Sequence, residues 1–298
     1  MCSGSSPCRV PDFLIIGGMK CGSTTLFRDL DASPEILFPV HKEPHNLLND
    51  RVLTESGRHE YSDLYKGAKS SQLLGDASTG YTKLPIHTGV PERAKSVLGA
   101  DVKIVYIIRN PVDRIQSHYR HLLSRPNAMQ SSFEEVLAAY PEVLEYSCFG
   151  QQLQAWREYF DEEAILVLCL EDHKRDRVNS TNTVCAHIGA EPCGHLIDTD
   201  TAWNKSDSKP VARGPLGPIV TSNLYRQYIR PLLGNRSRDF ARNLLLPKAK
   251  STEIAWTDSL WKQCEERLTE DAQLLRSLTN EQFGSTPDWL KPPMIKSR

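Results

Sequence analysis

The sequence predicts an α/β fold in which a parallel sheet is flanked by helices, and three observations carry that expectation. Its strand-like apolar runs are short and continuous rather than alternating, so each is suited to burial on both faces. Helical segments fall between those runs, which is the order that builds a doubly wound sheet. Such sheets bind ligands at the carboxyl ends of their strands, and the two stretches richest in chemistry stand at those ends.

The first run, Phe13-Leu14-Ile15-Ile16, ends in Gly17-Gly18 and is followed directly by a helix over Thr24 to Leu30. Leu73-Leu74 is a shorter run ending in Gly75-Asp76. Val102 to Ile108 is aliphatic apart from Lys103 and Tyr106. After it Asn110 caps a helix, and Pro111 fits the first position, where no N–H donor is needed. Val112, Ile115, Tyr119 and Leu122 then form one stripe at helical spacing. Ile165 to Leu170 is the last run, and Phe149 to Phe160 and Leu260 to Leu278 are further helices. Residues 200–257 are polar and rich in Gly and Pro, which reads as loops and short helices around the site. With no repeat or low-complexity tract, the organisation is a flexible segment over 1–10 and one domain over 11–298.

The 298 residues carry 36 Lys plus Arg against 37 Asp plus Glu, a formal net charge of −1. That balance argues against a nucleic-acid or other polyanion binder working through overall charge, and leaves room for a local basic cleft. Apolar residues at 39% are ordinary for a globular chain. No apolar stretch reaches the ~18–20 residues that span a bilayer, and the start from Met1 to Cys8 has no signal-peptide core. The expectation is a soluble cytoplasmic protein with no membrane partner. The eight cysteines are scattered without a CxxC pair, so reduced thiols are the default. Cys185-Ala186-His187 and Cys193-Gly194-His195 offer four ligand types, but C-x-H on a helix aims its side chains at different faces, and no metal is assigned. No heptads appear, so oligomeric state stays open.

The strongest motif is Ile16-Gly17-Gly18-Met19-Lys20-Cys21-Gly22-Ser23-Thr24-Thr25, between the first strand and its helix. A glycine loop feeding a helix N-terminus aims backbone N–H groups and the positive end of the dipole at an anion. Lys20 adds a mobile cation, and Ser23, Thr24 and Thr25 add hydroxyls. Gly17 and Gly22 have the spacing of the nucleotide triphosphatase loop, but Ser23 stands where that loop has its lysine. This departure disfavours the alternative reading, a P-loop phosphotransferase of kinase type. The second motif runs from Arg109 to Tyr119, with Arg109 at the ligand end of its strand and Ser117 on the helix that follows. A guanidinium grips phosphate with two parallel hydrogen bonds and a serine hydroxyl adds a third. The two motifs together call for a ligand with two separate anionic groups.

These motifs resemble those of sulfotransferases that use 3′-phosphoadenosine 5′-phosphosulfate (PAPS). Lys20 to Thr25 is similar to the family's 5′-phosphosulfate loop, and Arg109 with Ser117 to its 3′-phosphate motif. Pro91-Glu92-Arg93 and Glu43-Pro44-His45 resemble segments of the heparan sulfate branch, the second its Glu-x-His active-site segment. Gly150 to Trp156 and Leu168 to Asp172 follow the family's later helix and strand, so the likeness covers about residues 11–190, with a weaker match near 258–278. Two positions depart from that branch. Ala77 stands where it often has lysine, and Leu48 where a carboxylate follows the Glu-x-His segment, with Asp50 close by. Both fall on the acceptor side and argue against a heparan-type glycan.

The resemblance implies a P-loop-like sulfotransferase fold, PAPS as co-substrate, and a small-molecule or carbohydrate acceptor. It makes Glu43 the general base. His45 either orients the acceptor or shares the base's work, and would face the same side if the segment is extended. The alternative for Glu43 is a surface salt bridge with Lys42. Lys20 would stabilise charge on the bridging oxygen, while backbone N–H groups over Gly22 to Thr25 hold the 5′-phosphate. Lys205, Lys209, Arg213, Lys248 and Lys250 are candidates for a late contact to the 3′-phosphate.

Overall fold

The computed structural model describes residues 9–124, 132–199 and 253–279. Among the described residues, five strands form one wholly parallel sheet: β1 (Phe13–Ile15), β2 (Ile36–Leu37), β3 (Leu73–Ala77), β4 (Lys103–Ile108) and β5 (Ile165–Cys169). They lie in the order β2-β3-β1-β4-β5. From β1 the chain goes out to one edge, returns through β3, then crosses to the other side of β1 for β4 and β5. The reversal flanks β1, and a crevice opens there at the carboxyl ends of the strands. The four anticipated strands are present, and Gly75 to Ala77 extend the second of them, which is β3. β2 is the addition, a two-residue pairing of Ile36 and Leu37 with Leu73 and Leu74 that is too short to leave a pattern.

The helices are α1 (Ser23–Leu30), α2 (Glu55–Asp63), α3 (Val90–Leu98), α4 (Pro111–Leu123), α5 (Phe133–Ala139), α6 (Glu142–Glu145), α7 (Phe149–Arg157), α8 (Leu170–Arg175), α9 (Arg177–Ile188) and α10 (Asp258–Leu278). Side chains alternate across the sheet, which explains its continuous apolar strands. Leu14, Ile104, Tyr106 and Ile108 face a core shared with Tyr61, Leu153 and Trp156. Phe13, Ile15, Val105 and Ile107 face the opposite core with Leu26, Leu30 and Val184. A third cluster joins the α4 stripe to α10 through Ile115, Tyr119, Trp256, Trp261 and Leu268.

Two polar ties set the helices that frame the crevice. Asp29, buried near the end of α1, meets Arg177 of α9 and lies 3.2 Å from His173 Nε2 of α8, so the helix behind the first loop is locked to its neighbours on the same face of the sheet. Asp271 of α10 accepts from Gly150 N and Gln151 N at 2.8 and 2.9 Å, capping α7 where its own N-cap residue, Cys148, supplies no side-chain hydrogen bond. Asn110 caps α4 as its sequence indicated, accepting from Asp113 N at 3.1 Å.

Candidate active site

The loop from Ile16 to Gly22 runs along β4, with Ile16 N donating to Val105 O at 3.0 Å and Gly18 N to Ile107 O at 2.9 Å. Gly22 caps α1 in a left-handed conformation (φ 87°), which glycine adopts without a Cβ clash. α1 has no side-chain cap and no acidic residue in its first turn. Its leading N–H groups and the positive end of its dipole are therefore left for an anion. Ser23 is buried at this end, and Thr24 and Thr25 are half-buried beside it. Cys21 sends its thiol into the core, where burial pushes it up to about 12, so only its main chain belongs to the loop.

Among the described residues, the non-glycine residues with left-handed backbone are Lys20, Glu43 and His45, at φ 72°, 65° and 61°. Each such conformation costs about 1–3 kcal/mol and persists only where surrounding contacts over-determine it. The segment from Glu43 to His45 is thus not extended, as the sequence reading supposed. Left-handed residues on both sides of Pro44 curl it into a turn. That turn still brings the side chains together, with His45 Nε2 lying 3.3 Å from Glu43 Oε2.

Glu43 is held from three sides. Lys42 Nζ lies 3.0 Å from Oε1, Thr79 Oγ1 donates to Oε2 at 3.1 Å, and His45 completes the ring. Burial alone would push the carboxyl up, but the contacts with His45, Lys42 and Thr79 prevail and bring it down to about 2. The Lys42–Glu43 ion pair named in the sequence as an alternative is present, yet Lys42 is only 17% exposed and its Nζ also donates to Ser23 Oγ at 3.3 Å. The pair is part of the crevice and not a solvent-exposed bridge.

The turn carrying Glu43 and His45 is positioned from below by Asp76, at the end of β3. Asp76 is fully buried and accepts from Tyr61 and Tyr81 hydroxyls at 2.6 Å each and from Ser78 Oγ at 2.7 Å. Burial raises its carboxyl despite those three donors. Ser78 Oγ in turn accepts from His45 N at 3.3 Å, and the Tyr81 hydroxyl accepts from Leu47 N at 3.4 Å. Gly80 lets the His45 ring lie close, since a Cβ there would come within 2.9 Å of it. Arg93 pins the same turn from the other side, donating to the carbonyls of Leu47, Leu48 and Thr88. Pro91-Glu92-Arg93 therefore lies on α3 as a brace. Asp50 is Arg93's partner at 2.9 Å and is not turned toward Glu43.

Arg109 follows β4 and reaches back across the crevice, its Nη1 donating to the carbonyl of Lys20 at 3.3 Å. Its Nε is buried without a hydrogen-bond partner among the described residues, a donor still owed an acceptor. Ser117 is buried on the second turn of α4. Ala77, in place of the branch's lysine, is buried at the end of β3, and the half-buried Lys83 stands one short turn later within electrostatic reach of Glu43 and Lys42. Lys205, Lys209, Arg213, Lys248 and Lys250 lie outside the described residues. The Cys/His pattern does not converge. Cys185 and Cys193 Sγ are 3.3 Å apart, but His187 donates to Ile104 O at 3.1 Å and His195 is exposed. Sequence reasoning missed Lys42, Asp76, Thr79 and Arg93 as parts of this site. The available signal was polar residues at the end of a buried strand, Asp76-Ala77-Ser78-Thr79.

A parallel sheet with an uncapped helix at its switch point is the architecture with which α/β proteins hold phosphorylated ligands. The family is that of the sulfotransferase domain, whose model matches residues 10–209, and the chain belongs to it. Carbohydrate sulfotransferase 15 of Homo sapiens is 23% identical over 74% of this chain and 52% of its own length. The bifunctional heparan sulfate N-deacetylase/N-sulfotransferase 3 of Homo sapiens is 26% identical over 62% of this chain and 23% of its own. The chain thus spans about half the length of the first relative and about a quarter of the second. A sulfotransferase from Alicyclobacillus acidocaldarius has the same fold, with a TM-score of 0.62 at 21% identity over 95% of this chain and all of that one. Among the described residues, no helix is long and apolar enough to cross a membrane.

Proposed function

We propose that the chain transfers a sulfuryl group from PAPS to a hydroxyl or amine of an acceptor, with a carbohydrate favoured. The observation that carries this reading is the shared backbone strain of Lys20, Glu43 and His45, three residues singled out by family motif and held against their conformational preference in one crevice. The carbohydrate preference rests on the curated relatives, which are a carbohydrate sulfotransferase and a heparan sulfate N-sulfotransferase.

In this reading the main chain of Gly22 to Thr25 and the Lys20 ammonium hold the 5′-phosphosulfate. Arg109, whose Nε has no hydrogen-bond partner among the described residues, and Ser117 serve the 3′-phosphate. Glu43 takes the proton from the acceptor as the acceptor's oxygen or nitrogen attacks sulfur. The bond from sulfur to the bridging oxygen breaks, Lys20 steadies the charge left there, and adenosine 3′,5′-bisphosphate (PAP) departs. His45 orients the acceptor against Glu43. A cytoplasmic location goes with this reading, on the ground that the cysteines are scattered through the sequence without a CxxC pair.

The test is transfer of radiolabelled sulfate from PAPS to a panel of glycosaminoglycan oligosaccharides, monosaccharides, phenols and amines. Label in the carbohydrate fractions supports the reading, and label only in phenols or amines moves the acceptor class. Calorimetry with PAP and ATP is the companion measurement, since binding of ATP in preference to PAP would favour phosphoryl transfer.

A further inference from the structure

Lys42 touches both halves of the site. Its Nζ lies 3.0 Å from Glu43 Oε1 on the acceptor side and 3.3 Å from Ser23 Oγ at the start of α1. Its side chain is mostly buried, so the ammonium is confined between a carboxylate and the hydroxyl that opens an uncapped helix. That helix end is where an anionic group of a ligand settles. An ammonium is a compact charge on a flexible stem with three donors, and it follows the greater negative charge within its reach. A 5′-phosphosulfate beside Ser23 carries two charges against the single charge of Glu43.

The other groups facing Glu43 do not replace Lys42 when it turns. Thr79 is neutral, His45 stays where the turn fixes it, and Lys83 is a half-buried cation whose own charge is opposed by burial and by Lys42. A carboxylate held down to about 2 is a weak proton acceptor at neutral pH, and losing one cationic partner raises its proton affinity.

We infer that Lys42 is a relay cation: donor binding at the end of α1 draws it from Glu43, so the base is competent only when the sulfuryl donor is in place. This rests on the donor reading above. It deepens that reading by making the acceptor-side base answer to the donor side.

The relay makes a prediction that a plain salt bridge does not. If Glu43 competes with the donor for Lys42, removing the carboxylate charge tightens donor binding. Calorimetry on the full chain with PAPS and with PAP, which lacks the sulfuryl group, reads this out. Glu43→Gln is expected to bind PAPS about fivefold more tightly than the wild type. Lys42→Met is expected to bind PAPS about tenfold more weakly, with a smaller loss for PAP. The double variant should match Lys42→Met, because the gain from Glu43→Gln exists only through Lys42. Wild-type PAPS affinity in Glu43→Gln overturns the relay, as does equal tightening in the Lys42→Met background. The Glu43→Gln arm stands alone should Lys42→Met fail to fold. Failure of the wild type to bind PAP at all would instead strike the donor reading, so the two failures are distinct.

Discussion

Thr79 Oγ1 donates to Glu43 Oε2 at 3.1 Å, so a residue just beyond β3 fixes a carboxylate whose own backbone is strained. The hydrogen bond spans 36 residues of sequence and joins two loops that also meet through Ser78 and His45. A carboxylate fixed by a distant strand end keeps its aim while its neighbour Lys42 changes partners. Glu43→Gln keeps the shape of the side chain and removes its basicity. Turnover at saturating PAPS should fall at least about a hundredfold, the usual contribution of a general base. A rate near that of the wild type would remove Glu43 from the role. Thr79→Val deletes one neutral donor, worth about 0.5–1.5 kcal/mol, so kcat should fall only about two- to tenfold.

Lys20 is the cation proposed for the donor end, and its left-handed backbone lies in the loop between β1 and α1. Lys20→Ala removes an electrostatic donor from the leaving group, a loss of about 3–4 kcal/mol in comparable oxyanion sites. The expected result is a drop of at least about a hundredfold in kcat with PAP affinity reduced less. A variant that loses only affinity would make Lys20 a binding residue.

The sheet was legible because continuous apolar runs can be buried on both faces only in a covered parallel sheet, and Phe13 to Ile16 and Val102 to Ile108 are such runs. The helix after Asn110-Pro111 was legible because cap and first-position chemistry are local. β2 was not, since two residues hold no period. Around the crevice, local spacing pointed to the residues tied to a motif, whereas it did not single out Asp76 and Arg93 as supports of the turn at Glu43. Their roles include partners far away in sequence, Tyr61 at 15 residues from Asp76 and Leu47 at 46 from Arg93, and no local spacing encodes such contacts. Glu43 and His45 were correctly paired for a reason that fails, because the turn that unites them depends on two left-handed residues invisible to pattern.

Arg109 Nε is buried without a hydrogen-bond partner among the described residues, while Nη1 contacts the Lys20 carbonyl and Nη2 lies 3.5 Å from Asp113 Oδ2. In the proposed donor site, Nε is the donor that a 3′-phosphate oxygen would satisfy. Hydrogen bonds to charged groups contribute about 1.5–3 kcal/mol, so Arg109→Ala should weaken PAP binding about ten- to a hundredfold by calorimetry. Adenosine 5′-phosphate, which has no 3′-phosphate, should lose little. Equal losses for both nucleotides would assign Arg109 to the 5′ side, where its Lys20 contact already lies.

Asp76 is the acceptor for three buried hydroxyl donors, so its removal orphans all of them. Breaking a buried charged network costs about 3–5 kcal/mol, and Asp76→Ala should lower Tm by roughly 10 °C. Ser78 and Tyr81 also hold the main chain at His45 and Leu47, so turnover should fall even at temperatures where the variant is folded. Asp76→Asn retains acceptor capacity on one oxygen and should lose less of both. Full activity in folded Asp76→Ala would show that the turn at Glu43 holds itself.

Glu43 gives the site a pH signature in stability as well as in rate. Its carboxyl is lowered in the folded protein from an ordinary 4.5 to about 2, chiefly by His45 and Lys42 acting against the cost of burial. A lowered acid binds its proton more weakly when folded, so its stabilisation is complete above pH 4.5 and is lost as pH falls toward about 2. Asp76 works in the opposite sense, because burial raises its carboxyl and its ionisation opposes folding as pH rises. Asp76 is common to the wild type and Glu43→Gln, so it cancels when their thermal midpoints are compared. The difference between the two proteins should therefore be largest above pH 4.5 and shrink steadily below it. A difference that stays constant between pH 6 and 3 would mean that Glu43 gains nothing from its charged partners and that its ion pair with Lys42 is incidental.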